Sequence, residues 1–240
     1  MADPIHQFEI KEIFPINLNN IDISFTNSSM FMILTISVIS ILLISSIKKK
    51  SIIPSRLQSI SEIFYEFIAN MINDNIGNKG QKFFSLIFTL FTFILFGNLL
   101  GLLPYSFTFT SHIIVTFVLA MFIFLFVTII GILMHGFKFF GLFVPKGVPM
   151  VMLPLMIPIE VISYLSSPVS LSIRLFANMM AGHTMLKVFA GFIFSLGVFG
   201  IAPLFVDVAL TAFEVLVAFL QAYVFTVLTC LYLNDAINLH

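Results

Sequence analysis

Of 240 residues, 60% are hydrophobic and only 9% charged, eleven basic side chains balance eleven acidic ones, and the mean hydropathy is +1.12. A soluble domain carries about a quarter charged residues, so a soluble core is excluded, and zero net charge offers no electrostatic footprint for nucleic acid. The single cysteine, Cys230, excludes an internal disulfide and a Cys-based metal site.

The expected architecture is an all-α polytopic membrane protein, one integral membrane domain over 1–240. About five helices cross the bilayer, each needing about 20 apolar residues, and one amphipathic helix lies on its surface. The first 20 residues, MADPIHQFEIKEIFPINLNN, lack a basic start followed by an apolar run, so no cleavable signal is expected. After a polar leader, Asn27, Ser28 and Ser29 offer N-cap chemistry for a first span, 30–47. Lys48, Lys49 and Lys50 follow at once and mark the cytoplasmic side, which puts the N-terminus outside. Over 52–78 the pattern changes. Ile60, Ile63, Phe64, Phe67, Ile68, Met71 and Ile72 recur on one helical face, with Glu62, Glu66, Asn70, Asn73 and Asp74 on the other. That stretch carries too many charges to span and predicts an amphipathic helix lying on the cytoplasmic surface or packed on a partner; a solvated loop is the alternative.

The second span, 83–103, contains Gly97 and Gly101, a spacing that permits close helix approach. Asn98 beside them is buried polarity, and Pro104 ends the helix. The loop Tyr105–His112 has no Lys or Arg and suits the outer side. The third span, 113–134, is followed by His135, Lys138 and Lys146 on the inner side. From 148 to 196 the chain stays apolar for about twice what one upright span needs. The stretch is either a hairpin or one long, steeply tilted helix; Pro149, Pro154, Pro158 and Pro168 allow bends, but no polar turn divides it, so the long tilted helix is the expected form. After a break around Gly197–Pro203, a second over-long helix covers 204–233. Five crossings place the C-terminus in the cytoplasm.

The last two helices carry Glu160, Arg174, His183, Lys187, Asp207 and Glu214 inside apolar sequence. An intramembrane ionisable residue is costly and is read first as functional. Ser170, Arg174 and Asn178 step by four and share one face. Asp207, Glu214 and Gln221 step by seven and form a second stripe. Facing each other, the two lines make a hydrated, ionisable track that suits proton movement. Neither a metal nor a haem is implied: one histidine and scattered carboxylates do not make a ligand cluster. The structural alternative is that Glu214 and Asp207 serve only as counter-ions to Arg174 and Lys187. Lys187 can also snorkel to the interface. His112, His135 and Cys230 read as structural, and Ala177 and Ala181 leave room for a partner helix beside Arg174.

PVSLSIRLFANMMAGH, FEVLVAFLQAYVFTVLTCLYLNDA and NLLGLLPYSFTFTSH together closely resemble the a subunits of F-type ATP synthases. The resemblance runs over most of the chain from the first span onward. It implies a non-catalytic stator subunit whose two aqueous half-channels carry protons to and from the carboxylates of a c-subunit ring. That ring would lie against the helices bearing Arg174 and Gln221. Peripheral-stalk b-type subunits and the lipid bilayer are the other implied partners, and no cofactor is implied. Carried over residue by residue, Arg174 resembles the essential stator arginine, with Asn178 one turn beyond it. His183 and Glu214 resemble the polar pair of the outer half-channel, Gln221 the glutamine near the arginine, and Glu160 the acid of the inner half-channel. Asp207 joins the outer entrance through the stripe alone, and Ser170 joins the path through its shared face with Arg174. The leader DPIHQFEI and the ending YLNDAINLH look alphaproteobacterial, which implies the bacterial inner membrane, with the mitochondrial inner membrane as the alternative. An independent permease with a midplane ionic site, and a purely structural membrane subunit, are the competing classes; the absence of internal repeats counts against a permease.

Overall fold

The computed structural model describes residues 9–15, 17–18, 21–22, 24–48, 54–103, 106–144 and 152–238. Lys49, Lys50, Pro104, Tyr105, Lys146 and Pro149 lie outside these residues. Six α-helices are found among the described residues: α1 (Asn27–Lys48), α2 (Arg56–Asn75), α3 (Phe84–Gly101), α4 (Ile113–His135), α5 (Leu153–Leu196) and α6 (Ile201–Ile237). All but α2 are long and apolar enough to cross a membrane. The protein is an all-α polytopic membrane protein.

The leader is more than a polar tail. Four short strands, β1 (Glu12–Phe14), β2 (Asn17–Leu18), β3 (Ile21–Asp22) and β4 (Phe25–Thr26), form two nested antiparallel pairs, β1 with β4 and β2 with β3. Asn27 ties this hairpin to the head of α1: its Nδ2 donates to the Glu9 carbonyl at 3.2 Å, and its Oδ1 accepts from the Lys11 amide at 3.3 Å. With Asn27 so engaged, the hydroxyl of Thr26 takes the capping position and accepts from the Ser29 amide at 3.5 Å. Asn27 Oδ1 also accepts from the Ser28 amide at 2.9 Å, so of the three polar residues expected at this helix start Asn27 does meet a first-turn amide, while its bonds to Glu9 and Lys11 are invisible in a helical pattern.

Helix α2 begins after Ser55, whose hydroxyl accepts from the Gln58 amide. It ends where Gly77 adopts φ +77° and its amide returns to the Ile72 and Asn73 carbonyls. Its C-terminal half seats Ile68, Met71 and Ile72 on α3 and α6. The apolar face expected from the periodicity is only half used, since Ile60 and Ile63 remain exposed.

The core runs through Ile87, Phe91, Ile94, Val127, Leu175 and Phe225, where α3, α4, α5 and α6 meet. Gly97 and Gly101 do not serve helix–helix contact as expected. A Cβ at Gly97 would strike the Phe109 ring, and one at Gly101 would strike the Thr108 side chain. The notch in α3 is therefore filled by the 106–112 loop, which folds back into the helix bundle. Asn98, fully buried, pins that loop: Thr110 donates to its Oδ1 at 2.9 Å, and its Nδ2 reaches the Ala218 carbonyl of α6 at 3.4 Å.

Helices α5 and α6 contain 44 and 37 residues. Their axial lengths of about 66 and 56 Å exceed a hydrocarbon core of about 30 Å, so neither fits upright. Pro158 and Pro168 lie within α5. Much of their surface is apolar and uncovered, including Ile162, Ile173, Met185, Val208, Phe213 and Leu216. At the far end of α6, His135 Nε2 lies 3.0 Å from the Ile237 carbonyl and Lys79 donates to Asn238 Oδ1 at 3.0 Å. Those two contacts fasten the end of α6 to α4 and to the turn before α3, which gives His135 its structural role.

Candidate functional site

Arg174 projects from the exposed side of α5, with Ser170 and Asn178 exposed one turn to either side. Among the described residues no hydrogen bond or ion pair engages its guanidinium. Ala177 and Ala181 are exposed on the same side, Ala181 at the edge of a cavity shared with α6, so among the described residues the small side chains beside Arg174 are left uncovered. Its counter-ion is not Glu214, which sits elsewhere.

Two polar clusters flank Arg174. In the first, α5 and α6 meet side chain to side chain. Asn178 Nδ2 donates to Gln221 Oε1 at 2.9 Å, and Gln221 is 3% exposed with its Nε2 buried and without a hydrogen-bond partner. One turn further along α5, Gly182 lies under the carboxyl of Glu214 so closely that a Cβ there would collide with it. Glycine at this position lets α6 bring a buried carboxyl onto α5. Glu214 Oε1 is 3.9 Å from His183 Nε2, and neither carboxyl oxygen has a hydrogen-bond partner. His183 Nε2 lies 3.0 Å from the Thr108 hydroxyl of the re-entrant loop. A cavity of about 340 Å³ is lined by Asn178, Ala181, Gly182, Glu214 and Gln221 among apolar neighbours.

The second cluster lies towards the opposite end of the molecule. Glu160, Ser163, Tyr164 and Ser167 of α5 face Tyr232 and Asp235 of α6 across a cavity of about 180 Å³. Tyr164 is held by Thr128 of α4 at 2.7 Å, and Thr128 in turn donates to the Phe124 carbonyl. Glu160 lies fourteen residues before Arg174 and Asp235 fourteen after Gln221. That is about 21 Å of helix in each case, so the two clusters are well separated.

The structure thus brings together Asn178 with Gln221, and His183 with Glu214, while Glu160 stands apart in its own cavity. Asp207 lines neither cavity; its Oδ1 is buried without a hydrogen-bond partner two turns before Glu214. Ser170 faces outward beside Arg174 and lines neither cavity. Two participants escaped the sequence reading. Asp235 continues the seven-residue step of Asp207, Glu214 and Gln221, interrupted by Leu228, and extending the stripe would have found it. Thr108 had no such signal, because a loop residue carries no periodicity. Among the described residues no group of three His, Cys, Asp or Glu side chains could hold a metal ion.

Residues 28–234 match the family model of the ATP synthase A chain. The chain belongs to that family. It is 60% identical to ATP synthase subunit a of Pelagibacter ubique over 100% of this chain and 99% of that one. It is 58% identical to ATP synthase subunit a of Mesorhizobium japonicum, covering 99% and 97% of the two chains. With ATP synthase subunit a of Rhodospirillum rubrum the identity is 55% over the full length of both. These relatives are alphaproteobacterial, in keeping with the character of the leader and the C-terminal segment. Membership of the family places the chain in the membrane sector of a multisubunit ATP synthase, and the five apolar helices are those of a bacterial membrane protein.

Proposed function

We propose that this chain is the stator-side ion path of its ATP synthase. It would carry protons through two half-channels to and from carboxylates on a ring of c subunits, and have no catalytic centre of its own. The observation that carries the reading is Arg174, without an acceptor among the described residues, on the uncovered side of α5 between two polar clusters, with Glu160 of the second about 21 Å away along the helix. A cation held only for folding would have a counter-ion, since buried ions are normally paired. Arg174 is instead left for a carboxylate that this chain does not supply.

The chemistry follows from the side chains. A guanidinium favours the ionised form of a carboxylate brought beside it and stays protonated at any physiological pH. It therefore draws a ring carboxylate into its charged state without passing a proton itself. A lysine there would serve less well, because burial lowers its pKa. One charge crossing 100 mV yields about 2.3 kcal/mol, and that energy becomes rotation only when the two half-channels do not meet. His183, Glu214 and the Asn178–Gln221 pair form the outer path, with Asp207 at its mouth. Glu160 and Asp235 form the inner one, and Ser170 lies between Arg174 and that inner cluster. The uncovered apolar faces of α5 and α6 suit the ring, and b-type stalk subunits would hold the chain against it. In this reading the N-terminal hairpin lies outside and the C-terminus in the cytoplasm of a bacterium.

The test is Arg174→Ala in the intact complex, with assembly and ATP-driven proton pumping measured in the same membranes. The expected result is an assembled complex without coupled pumping or ATP synthesis. Retained coupled transport would end the reading, and a complex that fails to assemble would favour a structural role for the arginine.

A further inference from the structure

We propose that Thr108, on the loop between α3 and α4, is a positioning residue that fixes the orientation and tautomer of His183. The inference rests on the outer-path reading above and adds a residue to it from outside the two long helices. Thr108 is 4% exposed, and its hydroxyl lies between two groups: the Gly101 carbonyl at 3.1 Å and His183 Nε2 at 3.0 Å. A threonine hydroxyl has one proton to donate and lone pairs to accept with. Its geometry towards Gly101 is that of a donor to a carbonyl, which can only accept. The contact with His183 is then the reverse: the imidazole donates from Nε2, and Nδ1 keeps the lone pair.

The surroundings make this arrangement a built one. The loop is seated by Phe109 against Gly97, by Thr108 against Gly101 and by the Thr110–Asn98 bond. Ser106 also donates to the Gly101 carbonyl, at 2.7 Å. The oxygen of Thr108 thus has a fixed place from which to hold the ring. Glu214 Oε1, 3.9 Å from the same Nε2, approaches from the other helix. The proton-bearing nitrogen therefore faces the carboxyl while Nδ1 remains the basic atom. The other charged or titratable groups nearest this ring in register are Asp207 on α6, Lys187 one turn along α5 and His112 at the end of the loop; Arg174, Tyr164 and Glu160 lie further back along α5, Tyr223, Cys230, Tyr232 and Asp235 further on along α6, and α3 contains none.

The experiment uses the intact complex in liposomes, making ATP under an imposed proton gradient while the pH of the compartment facing the loop is stepped. Thr108→Val keeps the shape and removes the acceptor; Thr108→Ser keeps the acceptor. A hydrogen bond to a charged donor is stronger than one to a neutral donor, so losing the acceptor weakens the protonated ring more than the neutral one. Thr108→Val is expected to slow turnover and displace the rate profile towards acid by about half a unit to one unit, with Thr108→Ser close to wild type. Where Thr108→Val does not assemble, Thr108→Cys makes the same comparison through a weak hydrogen-bonding thiol. An unchanged Val variant would overturn the proposal. So would a slowed Val variant whose profile does not move, which would leave Thr108 a packing residue. Arg174→Ala in the same assay separates the two ideas: if it abolishes synthesis while Thr108→Val behaves as wild type, only the role of Thr108 falls. If Arg174→Ala still makes ATP, the path reading falls first.

Discussion

Gly182→Ala tests the closest approach in the outer cluster, because two effects of opposite sign meet at one atom. In a helix interior alanine is favoured over glycine by about 1 kcal/mol, so an open site would gain stability from the change. This site is not open. The new Cβ would lie 2.8 Å from Glu214 Cδ and 3.2 Å from its Cγ, with the nearer carboxyl oxygen in outright collision. Overpacking costs about 1–3 kcal/mol, and because the atoms struck are the end of a flexible side chain beside a cavity the cost falls at the low end and about offsets the propensity gain. Glu214 is 3% exposed, and the space open to its carboxyl is the cavity it lines; to clear the new Cβ the carboxyl has to leave its seat on Gly182, which changes its geometry towards His183, now 3.9 Å distant. A misplacement of about 1 Å in a proton-transfer geometry can cost about 10²-fold in rate. The assay is ATP synthesis by the reconstituted complex, with thermal inactivation followed alongside. We expect stability within about 2 kcal/mol of wild type and a far larger loss of turnover. Shortening the acid, as in Gly182→Ala with Glu214→Asp, should recover part of the rate. A Gly182→Ala complex that turns over as wild type would refute the argument that this glycine exists to admit the carboxyl.

Other expectations follow from individual contacts. Glu160→Gln and Asp235→Asn should each slow turnover and should combine non-additively in a double-mutant cycle, as groups sharing one cavity do; additive losses would separate them. Thr110→Val leaves the buried Asn98 Oδ1 unpaired, at a cost of about 1–3 kcal/mol. It should shorten the half-life of the solubilised complex on heating, with Thr110→Ser restoring it. At His112, burial holds the imidazole below its ordinary value of 6.5, and the ring stacks on Phe107 with a centroid separation of 5.1 Å. Because the folded value is the lower one, the loop keeps its full stability above about 6.5 and loses it as the pH falls through that range. Amide exchange in 106–112, corrected for intrinsic chemistry, should rise on acidification in the native protein and stay flat in His112→Phe.

How much of this was legible in the chain depends on whether a residue's role is periodic. The five apolar stretches follow from composition and length alone, because a bilayer demands about 20 apolar residues; for the undivided run of nearly 50 a hairpin stood beside one long helix, and the structure has the single helix Leu153–Leu196. Arg174, Asn178, Glu214 and Gln221 declared themselves by steps of four and seven, since helical spacing fixes which side chains share a face. The same rule, carried two further steps from Gln221, reaches Asp235. Sequence could not say which neighbour each face would meet. The notch of Gly97 and Gly101 read as a helix contact and receives a loop, because small residues specify room and not its occupant. Ile60 and Ile63 read as part of the apolar face of a surface helix and are left exposed, because periodicity defines such a face without saying how much of it this chain will cover. Only the packing of α5 on α6 placed Glu214 over Gly182 and bonded Asn178 to Gln221. Only the fold of the 106–112 loop brought Thr108 to His183, residues 75 positions apart and joined by no pattern, since contacts between distant segments depend on tertiary geometry that local spacing does not encode.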